Sequence, residues 1–170
     1  MLRYISDIDH YKIVIDHTRN AKRTLWIGTA DIKDLYVKTG SSTVPFLGIV
    51  AGLIKRGVEV RLIHAKEPGV AFREDFDKYP VLSTMLERVL CPRVHFKLII
   101  IDNKLAYIGS ANLTGAGMGM KSLNRRNFEA GIFTDEMSLV EPAIEQFDSV
   151  WRGEHCRSCG RKPFCSDPII

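Results

Sequence analysis

His95-Phe96-Lys97 is followed by Asp102, five residues after the lysine, and then by Gly109-Ser110-Ala111-Asn112, beginning seven residues further on. Side chains alternate along an extended strand, so His95 and Lys97 share a face. Asp102-Asn103-Lys104 reads as a tight turn between strands at residues 94–101 and 105–108. Such a turn pairs residues whose numbers sum to about 206 or 207. Lys97 then lies opposite Gly109 or Ser110, and His95 opposite Ala111 or Asn112. One end of the hairpin collects an imidazole, an ammonium, a hydroxyl and a carboxamide. Asp102 falls at the other end, about 20 Å away at the rise of a strand.

That collection suits a phosphate diester. Imidazole can attack phosphorus or move protons near neutral pH. Lysine neutralises a non-bridging oxygen as a compact charge. Ser110 and Asn112 can donate hydrogen bonds to the remaining oxygens and stabilise the charge that builds during phosphoryl transfer. A histidine base needs a partner to fix its tautomer. Glu129, in an otherwise apolar stretch where an unpaired carboxylate is costly, is the candidate. Asp102 reads as a turn cap rather than a catalytic group.

The elements that must position these groups follow from periodicity. Residues 8–22 predict a helix, and 24–28 a short buried strand. Residues 30–43 read as polar and irregular. Pro45 opens a helix with Phe46, Ile49, Val50, Leu53 and Ile54 on one face, closed by Gly57. Residues 58–63 alternate as a strand, and 65–79 read as a charged loop. Val81, Leu82, Met85, Leu86, Val89 and Leu90 predict a second amphipathic helix. A glycine-rich loop (115–120), a strand (127–133) and a helix (136–151) complete the series. Alternating strands and helices imply an α/β structure layered on a mixed sheet. The expected division is one domain over residues 1–152 and a Cys-rich segment over 153–170.

The chain has 170 residues, 45% hydrophobic and 26% charged, the proportions of a globular protein able to bury a core without staples. Disorder as the main state is excluded, since it needs few apolar residues and a large net charge. A net charge of +4 permits an anionic partner without arguing for one. No apolar stretch reaches the roughly 20 residues of a membrane span. The first residues show no secretory pattern, so the expected location is cytoplasmic.

At His95, Lys97, Asp102, Gly109, Ser110 and Asn112 the sequence resembles the phospholipase D superfamily and its His-Lys-Asp motif. Glu129 matches the acidic residue that follows on a later strand in many members. The order of elements over residues 1–151 is similar to one lobe of that family's two-lobed fold, an α-β-α layering around a mixed sheet. The resemblance implies a hydrolase that cleaves phosphodiesters through a covalent phosphohistidine, without a metal. The complete motif occurs once, whereas the mechanism needs a second histidine to protonate the leaving oxygen. A homodimer with its site on the twofold axis supplies it, as in the short bacterial endonucleases this chain resembles. The implied catalytic residues are His95, Lys97, Asn112 and Glu129. Lys97, Ser110 and Asn112 would bind substrate, with Asp102 and Gly109 structural.

Lys55, Arg56, Arg93, Lys121, Arg125 and Arg126 are the basic residues available to a nucleic-acid backbone, which makes a nuclease the expected activity. The alternatives are a phospholipid phosphodiesterase or phosphatidyltransferase, and a non-enzymatic nucleic-acid-binding module. Outside the motif, Cys156, Cys159 and Cys165 form a partial metal knuckle. Cys91 or a second chain completes a candidate structural zinc or iron–sulfur site, and His155 is the weaker fourth ligand. No metal is expected to take part in catalysis.

Overall fold

The computed structural model describes residues 1–33 and 35–168. Residue 34, within the polar stretch, and the last two residues of the expected C-terminal segment lie outside the described residues. Strand β1 (Leu2–Ser6) leads into a π-helical turn (His10–Ile15), which runs on as α1 (Asp16–Arg19). Then come β2 (Thr24–Thr29), β3 (Ile32–Lys33), β4 (Tyr36–Thr39), β5 (Ser42–Pro45) and α2 (Phe46–Lys55). They are followed by β6 (Glu59–His64), α3 (Val70–Asp77), α4 (Pro80–Met85), β7 (Glu87–Leu90), β8 (Lys97–Ile101) and β9 (Leu105–Gly109). The last elements are β10 (Leu113–Thr114), β11 (Ala130–Thr134), α5 (Met137–Trp151) and a 3₁₀ turn, Lys162–Phe164.

The main sheet has seven strands in the order β1-β11-β9-β8-β2-β6-β7. Strands β2, β6 and β7 run parallel, and every other pairing is antiparallel, so the sheet is mixed. The period-2 pattern sorts the core into two layers. Leu25, Ile27, Ile99, Tyr107 and Phe133 pack on one face with Val14, Val50 and Leu53 from the helical turn and α2. Trp26, Ile63, Leu98 and Ile100 pack on the other face with Ala143 and Phe147 of α5. Phe147 is fully buried and stacks on Trp26 at 5.2 Å. Burying such a side chain is worth about 1.5–3 kcal/mol. Arg61 covers the end of this layer, 4.9 Å from the Trp26 ring and 5.2 Å from that of Trp151. Among the described residues, no helix is long and apolar enough to cross a membrane.

Three expectations need correction. The polar stretch holds a small hairpin, β4–β5, which turns at Gly40 with φ +62°. The charged loop contains α3, whose Phe72 and Phe76 stack at 5.8 Å and seat an otherwise acidic segment on the core. The expected second amphipathic helix stops at Met85, and residues 87–90 become a strand parallel to β6, with Val89 opposite Ile63. Apolar residues at helical spacing can equally fill one sheet edge, and pairing with β6 decides the outcome.

Candidate functional site

The β8–β9 register puts Lys97 opposite Gly109, one of the two pairings expected. Ladder pairing ends there, so His95 precedes the strand and stands exposed instead of facing Ala111 or Asn112 across a ladder. Phe96 fixes the direction of this segment. It lies so close over Gly28 that a Cβ there would be 2.1 Å from the ring. Anchoring Phe96 on one face of the sheet leaves His95 and Lys97 on the other.

Lys97 is buried, and its Nζ donates to the His95 carbonyl at 2.6 Å and lies 3.3 Å from His95 Nδ1. Burial lowers the ammonium pKa, and the Glu129 carboxylate partly opposes that shift. An ammonium can only donate, so Nδ1 accepts and the ring proton sits on Nε2. Acting as the acid that protonates a leaving oxygen requires the imidazolium, with a proton on each nitrogen and Lys97 moved off Nδ1. Attack by Nε2 requires the proton on Nδ1, with Lys97 moved off that nitrogen.

Asn112 divides its carboxamide between two tasks. Its Oδ1 accepts the Ala30 and Asp31 N–H groups at 3.2 Å each and the Thr29 hydroxyl at 3.3 Å. Its Nδ2 has no partner among the described residues and remains a donor at the end of the sheet. Thr29, which sequence reasoning missed, also accepts the Leu113 N–H at 3.1 Å and so ties the end of β2 to the Asn112 segment.

Glu129 lies just before β11 rather than inside a strand. Its carboxylate accepts the Ser110 hydroxyl and, at 3.0 Å, the Asn127 side-chain amide. Among the described residues Glu129 makes no hydrogen bond to His95, contrary to expectation, although it acts electrostatically on Lys97. Ser110 also accepts the Ala130 N–H at 3.1 Å. With its only proton given to Glu129, Ser110 positions that carboxylate, and the substrate-donor role expected for it does not fit this geometry. Asn127 was also missed. Its spacing of two from Glu129 was the available signal.

Asp102 lies at the far end of β8, as expected. Its carboxylate accepts the N–H groups of Arg23 at 2.7 Å, Thr24 at 3.0 Å and Lys22 at 3.1 Å. The six basic residues divide. Lys55 and Arg56 end α2 on the Asp102 side, where Arg56 bonds the Arg19 carbonyl at 3.2 Å. Arg93 belongs to the segment that carries His95. Lys121, Arg125 and Arg126 lie on the loop between Asn112 and Glu129.

The cysteines need correction too. A cavity of about 250 Å³ between the β7–β8 connection and the C-terminal segment is lined by Cys91, Cys156 and Cys159, with Arg93, Phe96 and His155. Yet among the described residues no three Cys, His, Asp or Glu side chains are placed to hold one ion. Cys165 turns to the Leu90 carbonyl at 3.8 Å, and Cys159 accepts the Arg161 N–H at 3.4 Å and the Arg93 guanidinium at 3.8 Å. The Arg161 N–H, with Arg93 beside it, lowers the Cys159 thiol pKa against the effect of burial. A guanidinium on the sulfur opposes a metal cation at the same place.

Residues 14–151 match the family described as cardiolipin synthase, PLD-like domain. The chain belongs to this phospholipase D-like family. It is 27% identical over 169 residues to the envelope phospholipase OPG057 of Variola virus, an alignment covering 93% of this chain and 43% of that protein. It thus spans less than half the length of that curated relative. Two solved structures share the fold. NucT from Helicobacter pylori has a TM-score of 0.65 at 16% identity, covering 89% of this chain and 97% of NucT. Nuc from Salmonella typhimurium, a phospholipase D family member, has a TM-score of 0.65 at 18% identity, covering 89% and 94%.

Within a phospholipase D-like chain the complete motif matters more than its first three residues. The bare His-x-Lys spacing recurs at His10–Lys12 and His64–Lys66, without the later Asp and Gly-Ser-x-Asn. Both of those imidazoles are fully buried, whereas His95 is exposed.

Proposed function

We propose that the chain is a metal-independent phosphodiesterase, a nuclease that hydrolyses nucleic-acid phosphodiesters through a phosphohistidine in a homodimeric site. The observation that carries this reading is the grouping of an exposed His95, a desolvated Lys97 ammonium and the unpartnered Asn112 Nδ2 at one end of the sheet. His95 of one copy bonds phosphorus through Nε2. The ester P–O bond breaks, and the leaving oxygen takes the Nε2 proton of the second copy's His95, which enters this step as the imidazolium and leaves it as the neutral base. That second imidazole then deprotonates water, which attacks phosphorus and breaks the P–N bond. As Lys97 shifts from Nδ1 to a phosphate oxygen, Glu129 becomes the carboxylate available to the Nδ1 proton of the attacking ring. Family membership and the fold shared with Nuc and NucT support the reading, as do Arg93, Lys121, Arg125 and Arg126 on the site side.

A lipid substrate is the second reading, and one feature favours it. Leu123 and Phe128, on the loop beside Glu129, are 77% and 96% exposed, and basic residues lie between them. Apolar side chains flanked by cations suit an anionic membrane surface. An exposed aromatic beside a phosphate site equally suits base stacking. The deciding experiment offers single- and double-stranded DNA, RNA, cardiolipin vesicles and a chromogenic phosphodiester, each with chelator. Acid-labile phosphate trapped on His95 with a nucleic acid supports the nuclease. Cleavage of cardiolipin alone selects the lipid reading, and binding of nucleic acid without turnover selects the non-enzymatic module. Mixing wild type with His95→Ala tests the shared site. Activity that falls only with dilution of wild-type chains would reject it.

A further inference from the structure

Behind the phosphate-binding segment lies a buried polar chain that the mechanism above does not use. The Ala111 N–H donates to Tyr107 Oη at 3.1 Å, and Tyr107 Oη lies 2.9 Å from His10 Nε2. His10 Nδ1 lies 3.0 Å from the Asp7 carbonyl, and the Asp7 N–H donates to the Glu129 carbonyl at 3.3 Å. His10 and Tyr107 are both fully buried. We propose that His10 and Tyr107 are positioning residues that hold the Ser110–Asn112 segment and Glu129 at a fixed separation. This inference rests on the phosphodiesterase reading of the same site.

The proton pattern has one consistent solution. A carbonyl only accepts, so His10 Nδ1 must carry the proton given to Asp7. Nε2 of the neutral ring is then an acceptor. Tyr107 O–H donates to it, and the phenol oxygen accepts the Ala111 N–H. Every member is satisfied, and burial, which lowers the His10 pKa, keeps the ring neutral. The opposite tautomer sets two acceptors, Nδ1 and the Asp7 carbonyl, against each other.

Two glycines make room for the chain. A Cβ on Gly109 would lie 2.3 Å from Tyr107 Oη, and one on Gly131 would lie 2.6 Å from Tyr107 Cε2. These residues pair across β9 and β11 and form the floor on which the phenol lies. That gives Gly109 of the motif a physical reason: its hydrogen lets Tyr107 reach past the end of its strand to the Ala111 amide. Asp7, a non-glycine residue, holds φ +44°, a conformation that costs of order 1 kcal/mol and aims its carbonyl at His10. The chain therefore closes a loop. Ser110 bonds the Glu129 carboxylate directly, while Ala111, its neighbour, reaches the Glu129 backbone through Tyr107, His10 and Asp7.

The test is Tyr107→Phe, which keeps the ring and removes the hydroxyl, together with His10→Leu and His10→Gln. All are assayed well below their melting temperatures on the chromogenic phosphodiester. Misplacing a positioned group by about 1 Å costs roughly 100-fold in rate. We expect Tyr107→Phe to lower kcat roughly 10- to 100-fold with KM nearly unchanged. His10→Leu should match it, and the double variant should lose no more than either. His10→Gln, whose Oε1 can accept the phenol proton, should recover most of the rate. Wild-type kcat in Tyr107→Phe, with only a lower melting temperature, overturns the proposal and leaves an ordinary core pair. If wild type turns over no phosphodiester, the functional reading fails, and a second readout decides. Loss of exchange protection at the Ala111 and Asp7 amides in Tyr107→Phe would sustain the positioning role. Unchanged protection would reject it.

Discussion

The two ends of the β8–β9 hairpin carry the same motif and treat its polar groups in opposite ways. At the turn, the Asp102 carboxylate is occupied by three consecutive backbone N–H groups from Lys22 to Thr24. At the open end, among the described residues, His95 is exposed, Lys97 is desolvated and bonded only within its own segment, and Asn112 keeps a donor free. A charged group whose capacity is filled by backbone holds the fold, and one with capacity left is available to a ligand. Sequence proximity gives His95, Lys97 and Asp102 equal standing. Hydrogen-bond bookkeeping separates them.

The largest expected effect breaks the open end. His95→Ala should lower turnover at least about 1000-fold, since no neighbouring group replaces the ring nitrogen. Its melting temperature should stay close to wild type, because the side chain is exposed. Steady-state kinetics and a thermal melt on one preparation check both halves. Lys97→Ala comes next. In the proposed mechanism its charge meets the phosphate before and during reaction, so kcat/KM should fall roughly 100- to 1000-fold, with KM and kcat both worsened. Glu129→Gln should be milder, roughly 10-fold in kcat. The amide oxygen can still accept the Ser110 hydroxyl, but its NH₂ then faces the Asn127 amide, and the isostere cannot stabilise an imidazolium. A wild-type rate in Glu129→Gln would show that this carboxylate only holds Ser110 and Asn127.

How far these assignments were legible in the sequence differs along the chain. The hairpin register followed from one turn and the period of a strand, and Lys97 does face Gly109. The layering around a mixed sheet was legible from alternation, and Trp26 parts from Leu25 and Ile27 as that pattern requires. Residues 87–90 were not legible as a strand, because Val89 and Leu90 fit a helical stripe until β6 is present to pair with them. The partners of Glu129 were not legible either. A carboxylate needing a partner can be recognised, but Ser110, Asn127 and His95 all lie within reach of one strand end, and only the fold chooses among them. Tyr107 was hidden for a similar reason. In an apolar strand it reads as core, and its hydroxyl gains meaning only when Gly109 and Gly131 open a path to Ala111. The cysteine spacing suggested a metal knuckle because spacing does not show that Arg93 faces Cys159.

The smallest expected effect tests the closed end. Asn tolerates positive φ, and position 102 holds φ +55°, so Asp102→Asn removes charge with little backbone cost. The N–H groups of Lys22, Arg23 and Thr24 then face a neutral oxygen, and charge-assisted bonds are the stronger kind. The loss should be about 1–2 kcal/mol. That corresponds to a fall of roughly 3–6 °C in melting temperature for a chain of this size. The pH dependence has a definite sign. Burial pushes the Asp102 pKa up, but the N–H groups of Thr24, Arg23 and Lys22, with the charge of Arg23, outweigh it and hold the pKa below the ordinary value. A carboxyl lowered in the folded state contributes fully above its unfolded pKa of about 4 and loses that contribution as pH falls through the folded value. Melting curves of wild type and Asp102→Asn should therefore be separated near neutrality and converge below that range. Turnover measured on the same samples at pH 7 should be equal. A large loss of turnover with unchanged melting would place Asp102 in the chemistry and remove the distinction between the two ends of the hairpin.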